Sequence, residues 1–430
     1  MGYNMMYPFS IGDLRDSSSV LSNYMENNQG GKIPWNDLKY IFGEIMYGGH
    51  IVNDFDRLLC NCYLDHFMKD ELLDETEMFP FNEDEKNMSF MCPAPTSYDK
   101  YVEHIDFGLT QETPVAFGLH PNAEIDFRTT QSNKILATIL ELQSGDTSAG
   151  EGAMSPDEIA KNACYDIADK FEGKFFILAD LAVEEKGPYQ NVFIQEMTVL
   201  NTLITEIMRS LNELKLGFAG QLTMSDAMDN LKNALFMERI PPTWQKRAWP
   251  SMRALTPWLS DFFLRYEQLD AWFNAPMDIP KVTWLSGLVN PQSFLTAICQ
   301  VSAQASKSPL DSLVTWTEIT KKFNDSEVDR RAQEGAYIKG MFLQGCRWDT
   351  SSGLLEKSKP KEMFFKMPIV NVKALSADKA DVSQGYYVCP CYKTEFRGPT
   401  YVFCAQLKTK SPSAKWVLAG AALILDVSAQ

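Results

Sequence analysis

Between Pro188 and Gly217 the chain places Phe193, Met197, Leu200, Ile204, Ile207, Leu211 and Leu214 at a 4-3-4-3-4-3 spacing. That spacing draws one apolar stripe along a helix, and a strand cannot reproduce it because strand side chains alternate with period two. The stripe has to be covered. A partner helix in a coiled coil would do so, but three heptads are few for that architecture. Packing inside a domain is the expected cover. A second, aromatic helix is expected from about Pro257 to Trp272, with Trp258, Phe262, Tyr266 and Leu269 along one face. The tryptophans fall at helical spacing among Leu, Phe and Met. That is the pattern of a core rather than of an exposed ring-stacking surface for sugars or single strands.

The first 70 residues also read as helices. Pro34 opens one at a position where its missing N–H costs nothing. Trp35, Leu38, Ile41, Phe42 and Ile45 then share a face, and Gly48-Gly49 is expected to end it. Asn53 is a candidate N-cap for the next helix, with Asp54 and Asp56 in its first turn. Phe55, Leu58, Leu59 and Cys62 follow at i, i+3, i+4, i+7.

Residues 70–100 carry two acidic runs, Asp70 to Glu77 and Glu83 to Glu85, then Cys92-Pro-Ala-Pro95. They read as a solvated connector. Ser144 to Ser155 is rich in Gly and Ser and reads as a loop.

After about residue 335 the texture turns to short β-rich runs: Tyr337 to Leu343, Met363 to Val372 and Tyr386 to Tyr392. Arg397-Gly-Pro399 separates two runs as the turn of a hairpin would. Trp416 to Val427 is a last buried element. The fold class is therefore α+β. A helical first part (1–115, with the acidic connector) is followed by a helical region (116–334). A small antiparallel sheet or barrel (335–430) completes it.

Charge divides the chain the same way. Residues 1–115 hold 20 acidic and 7 basic side chains, whereas residues 116–430 hold 36 and 33. The formal net charge of −16 argues against nucleic-acid or anionic-membrane partners, which need clustered Lys and Arg. The apolar stretch Trp416 to Leu425 is half the length of a membrane-spanning helix. Met1-Gly2 lacks the Ser or Thr that a myristoylation signal wants at position 6. The start carries no basic-then-apolar leader. Nine scattered cysteines, an odd number, suit reduced thiols in a cytosolic setting better than a disulfide framework.

Chemical motifs are scarce. No Gly-x-x-x-x-Gly-Lys-Ser/Thr loop is present, and Gly145 to Gly152 carries Asp146 and Glu151 but no lysine to meet a phosphate. No Gly-x-Ser-x-Gly elbow occurs. Cys60, Cys62, His66 and Cys92 have poor spacing for zinc, because Cys60, Cys62 and His66 leave a helix on different faces. They read as core, as do Cys389 and Cys391. Asp54 and Asp56 read as helix-start carboxylates rather than an acid–base pair. No catalytic, nucleotide-binding or metal-binding residue is assigned.

Several stretches resemble one family. Tyr7-Pro-Phe9, Ile33 to Gly49 (IPWNDLKYIFGEIMYGG) and Asn53-Asp-Phe-Asp-Arg57 look like the lid of the sixth AAA+ module of dynein heavy chains. Phe117 to Ile125 (FGLHPNAEI) resembles the start of the dynein C-terminal domain. Trp284 to Gly287, Asn290 to Leu295, Gly340 to Asp349 and Cys389 to Thr394 continue that likeness. Arg397 to Val402 and Trp416 to Gly420 are similar to axonemal outer-arm heavy chains of the β type. Where the family commonly reads Asp-Asp-Trp-Asp-Arg-Arg, this chain has Asn53-Asp-Phe-Asp-Arg-Leu58, which alters one packing and ion-pair site.

The resemblance implies a non-catalytic portion of a minus-end-directed, ATP-driven microtubule motor of the cilium or flagellum axoneme. ATP and Mg would sit in upstream modules, and the microtubule would be held by a distant stalk. The implied partners are the rest of the heavy-chain AAA+ ring and the other axonemal heavy, intermediate and light chains. Two alternatives remain at this point. One is a stand-alone scaffold that keeps this fold without a motor, and the other is a cytosolic enzyme with a cysteine or metal site.

Overall fold

The computed structural model describes residues 2–28, 31–74, 77–83, 86–109, 113–143, 155–181, 186–380 and 385–427. The Gly/Ser-rich stretch 144–154, expected as a loop, lies outside them.

The helices of the first part are α1 (Ile11–Asn27), α2 (Trp35–Tyr40), α3 (Tyr47–His50), α4 (Asp54–Phe67) and α5 (Tyr98–Gly108). Ser10 and Asp13 form a reciprocal capping box at the start of α1. Asn53 caps α4 as expected, accepting from the Phe55 and Asp56 amides. A π-helical turn, Ile41–Ile45, separates α2 from α3, and Met46 N–H reaches the Ile41 carbonyl at 2.8 Å. The wider turn rotates the residues after it, so the expected stripe breaks. Leu38 and Phe42 are buried, but Ile45 is 59% exposed. Gly48 does not end the helical path. It packs on the Gly43 carbonyl, where any Cβ would overlap backbone.

The described residues of the connector (70–74, 77–83 and 86–100) make backbone and aromatic contacts that its acidity did not suggest. Phe79 and Met91 flank a pinned loop in which Phe81 N–H donates to the Phe90 carbonyl and Cys92 N–H to the Phe79 carbonyl. Phe67, Phe79, Phe81, Phe90 and Phe117 gather around it with ring centroids 5.5–6.3 Å apart. His104 of α5 donates from Nε2 to the Met91 carbonyl at 2.8 Å. Aromatic packing is what gathers these described residues.

The second part contains α6 (Pro121–Gln143), α7 (Pro156–Phe171), α8 (Pro188–Phe218), α9 (Asp226–Phe236), α10 (Pro242–Gln245), α11 (Leu255–Phe273), α12 (Pro291–Ser306) and α13 (Ser413–Leu418). The heptad stripe of α8 is buried throughout, each member at most 3% exposed. Its cover comes from α7, α9, α11 and α12 of the same chain, so helix packing holds and no coiled coil is needed. The aromatic face of α11 is equally buried.

Strands β1 (Val282–Trp284), β3 (Ala336–Lys339), β8 (Val370–Ser376) and β2 (Leu313–Ile319) form one sheet in the order β1-β3-β8-β2. A second sheet runs β10-β9-β11-β4-β7, from β10 (Tyr401–Lys408), β9 (Tyr386–Thr394), β11 (Ala422–Asp426), β4 (Phe342–Gln344) and β7 (Phe364–Lys366). A short hairpin pairs β5 (Arg347–Asp349) with β6 (Leu354–Glu356).

The α+β class stands, and the expected hairpin at Arg397 to Pro399 joins β9 to β10. The sheets are open and mixed rather than a closed antiparallel barrel, because β1/β3 and β9/β11 pair in parallel. Strands β1 and β2 lie before residue 335, where the sequence texture reads as helical. The run Tyr337 to Leu343 is split between the two sheets. Gly340, at φ 90° and pressed on Trp284 and Ser286, makes the crossing that a side chain would block. One apolar core runs without a break from α7 to β11.

Candidate interdomain site

The helical head and the larger body meet at the start of α4. The N-cap and first turn hold Asp56 inward, and it is 1% exposed. Its Oδ1 accepts from the Asn4 amide at 2.6 Å, and its Oδ2 accepts from the Met5 amide at 3.1 Å and the Tyr7 hydroxyl at 2.8 Å. Burial, then the bond to Asp56, pushes the Tyr7 phenol up to about 12, so it stays a donor at neutral pH. One carboxylate thus holds residues 4–7 as a strap across α4.

The strap continues into the body. Asn4 Nδ2 donates to the Tyr392 hydroxyl at 2.9 Å, and Asn4 Oδ1 accepts from Arg397 Nη1 at 3.3 Å. Arg397 Nη2 also donates to Gln344 Oε1 at 2.7 Å and to the Gly420 carbonyl at 2.5 Å. One guanidinium therefore ties the β9–β10 turn, β4 and the segment before β11 to Asn4. Burial draws Arg397 below the usual guanidinium range, and the Tyr392 and Asp56 oxygens work in the opposite direction. Arg397 itself holds φ at 47°, a strained backbone fixed by these bonds.

Apolar contacts follow the same line. The Phe55 ring lies 5.8 Å from Tyr401, which lies 6.1 Å from Tyr392. Phe55, the residue that departs from the common family tryptophan, therefore packs across the junction. Leu58, another of the departures, is exposed. Arg57 donates to Glu44 Oε2 at 3.1 Å and to the Ile51 carbonyl at 2.9 Å, fastening the π turn to α4. Helix α13 of the body packs directly on α4.

A second polar centre lies inside the body. Asp261 and Arg265, one helical turn apart on α11, pair at 2.9 Å, and both side chains are almost wholly buried. The guanidinium stacks 4.0 Å above the Trp249 ring. Glu196 of α8 accepts from the Val289 and Asn290 amides at 2.6 and 2.8 Å. Burial raises its carboxyl, and those two bonds oppose the shift. Asp426 of β11 accepts from Arg253 at 2.9 Å and Ser251 at 2.8 Å. The helices and the second sheet are joined by charge as well as by the shared core.

Asp56 apart, the candidate catalytic and metal residues take no part in the bonds of either centre. Cys60 and Cys62 are buried in α4, and burial raises both thiols. The His66 ring packs edge-on to Phe67 at 4.9 Å, and the Cys92 thiol faces the Pro93 carbonyl. Cys389 and Cys391 are fully buried, with thiols pushed far up by burial. Among the described residues no three His, Cys, Asp or Glu side chains gather as a metal site. Asp54 and Asp56 do not act as a pair: Asp54 is exposed, and Asp56 is the anchor of the strap. Sequence reasoning missed that role because its partners are 49 to 52 residues away. The motif Tyr7-Pro-Phe9 was the available signal.

A helical unit strapped by its own leading segment to a larger α+β body defines a structural packing module. Residues 1–123 match the AAA lid domain of the dynein heavy chain, and residues 129–425 match its C-terminal domain. The chain belongs to the dynein heavy chain family. It is 44% identical over 429 residues to the ciliary dynein beta chain of Tripneustes gratilla, and likewise to dynein axonemal heavy chain 9 of Homo sapiens. It is 44% identical over 433 residues to the flagellar outer-arm dynein beta chain of Chlamydomonas reinhardtii. Each match covers 99% of this chain and 9% of the relative, so the chain spans about a tenth of the length of these curated relatives.

Proposed function

We propose that this chain acts as the lid and C-terminal portion of an axonemal outer-arm dynein heavy chain of the β type. The complete motor is minus-end-directed and ATP-driven, and it works in the axoneme of a cilium or flagellum. In that setting ATP and Mg are held by upstream modules, and the microtubule is held by the stalk. The lid and C-terminal portion closes the AAA+ ring and transmits its position through the strap at Asp56. Its partners are the rest of the ring and the other axonemal dynein chains.

The observation that carries this reading is the 44% identity over 99% of the chain, which takes in both the lid and the C-terminal domain. The surface of the head agrees with it. Tyr98, Val102 and Ile105 lie along one exposed face of α5, and Ile11 and Leu14 are exposed on α1. Apolar faces of this kind fit a neighbouring subdomain.

The test uses the purified chain. It is expected to hydrolyse no ATP and to stay in the supernatant when microtubules are pelleted, while binding an apolar dye. ATP turnover that persists through purification, or co-pelleting with microtubules, would overturn the assignment of roles.

A further inference from the structure

Where α4 and the start of α6 face the β6–β7 loop, the head and body enclose a cleft of about 960 Å³. Its body wall carries Lys357, Lys359 and Lys361 on the β6–β7 loop, and Lys415 of α13 lines the same cleft. In a chain of net charge −16 this is a local reversal of sign. The carboxylates at the cleft are engaged: Glu124 pairs with Arg128 at 3.5 Å and Glu83 with Lys69 at 2.9 Å.

The loop is preformed. Glu362 accepts from the Lys359 amide at 3.0 Å, and Asn122 of the facing wall donates to the Glu362 carbonyl at 3.0 Å. Lys361 sits at φ 65°, a left-handed position that fixes the bend. Among the described residues, Lys415 Nζ meets a neutral hydroxyl, that of Ser411, at 3.3 Å, and the Trp416 ring.

Each wall also contributes an unsatisfied group. Tyr63 Oη and Ser358 Oγ are sealed from solvent without a hydrogen-bond partner. Buried hydroxyls are nearly always paired, and an orphan points to a missing water or ligand.

We propose that this cleft binds a multivalent oxyanion of the polyphosphorylated small-molecule class, held by Lys359, Lys361 and Lys415. The volume falls in the range of small-molecule sites. Three of the four lysines come from one short stretch of the β6–β7 loop, which suits a compact anion better than an extended acidic peptide. A ligand bridging the walls would add to the contact between head and body that the Asp56 strap already makes.

Calorimetric titration of the chain with sodium tripolyphosphate tests this. Saturable one-site binding is expected. Lys359→Gln combined with Lys361→Asn, the latter chosen because Asn tolerates the left-handed backbone, should weaken it at least about tenfold. Lys170→Gln combined with Lys246→Gln, which makes the same change in charge far from the cleft, should leave it unchanged. The proposal fails if no saturable heat appears or if both lysine pairs weaken binding equally. It also fails if a hexaglutamate peptide binds more tightly than tripolyphosphate, which would make the cleft a peptide site.

Discussion

Among the described residues of the head, up to residue 123, six large apolar side chains are buried and nineteen are exposed. Between residues 129 and 425, fifty are buried and nineteen exposed. None of the six joins the core that runs through the body. The body closes on itself, with α8 surrounded and both sheets packed on the helices. The head has the helices α1 to α5, an aromatic cluster and a strap. Its cohesion rests more on named polar bonds, and its apolar surface faces outward. A lid that packs on a neighbouring subdomain has that character, and a self-contained domain does not.

The largest expected effect separates the two units inside the body. Arg265→Met leaves buried Asp261 with only the 4.0 Å contact to Arg253 among the ion pairs described, and should cost about 3–5 kcal/mol. Urea unfolding followed by tryptophan fluorescence reads this, since six of the tryptophans are buried in the body core. Adding Asp261→Leu should recover most of the loss, because a buried ion pair and an apolar pair of similar volume are close in energy. A head transition that moved along with the body in these variants would break the distinction.

Asp56→Ala addresses the head. Three donors lose their acceptor, a cost of about 3 kcal/mol, and it should fall on the head alone. Amide exchange of residues 2–9 should accelerate while α8 keeps its protection. Asn4→Ala should cost about 1 kcal/mol, loosening the tie between the strap and Arg397 and leaving the bonds from the strap backbone to Asp56 in place.

The smallest effect is a pH dependence. The Glu196 carboxyl is raised in the folded state, so the folded chain holds that proton more tightly than the unfolded chain does. Its contribution is complete below the unfolded value near 4.3 and is lost as pH rises through the folded value. The stability of the wild type relative to Glu196→Gln should therefore fall as pH rises from about 4 and level off above the folded value. A difference that grew with pH would mean that the two backbone N–H bonds outweigh burial.

Much of this division could be read from residue spacing. The α8 stripe, the α11 aromatic face, the Asn53 cap and the Arg397 hairpin each depend on neighbours within a few residues. The departures have physical causes of longer range. A π turn displaced Ile45, and a left-handed Gly340 passed one alternating run between two sheets. Aromatic rings gather Phe79, Phe81 and Phe90 in a connector whose charges suggested solvent. At the junction, Asp56 was legible as a helix-start carboxylate and Arg397 as a turn residue. That they meet through Asn4, across nearly the whole chain, depends on the folded body and leaves no local pattern.

Hydrogen–deuterium exchange with peptide-level mass spectrometry measures the division most directly. If the head is a packing unit strapped to a self-sufficient body, residues 31–74 should exchange through openings of clearly lower free energy than α8, α11 and β9. Protection of α4 equal to that of α8, lost in a single cooperative step under rising urea, would contradict it.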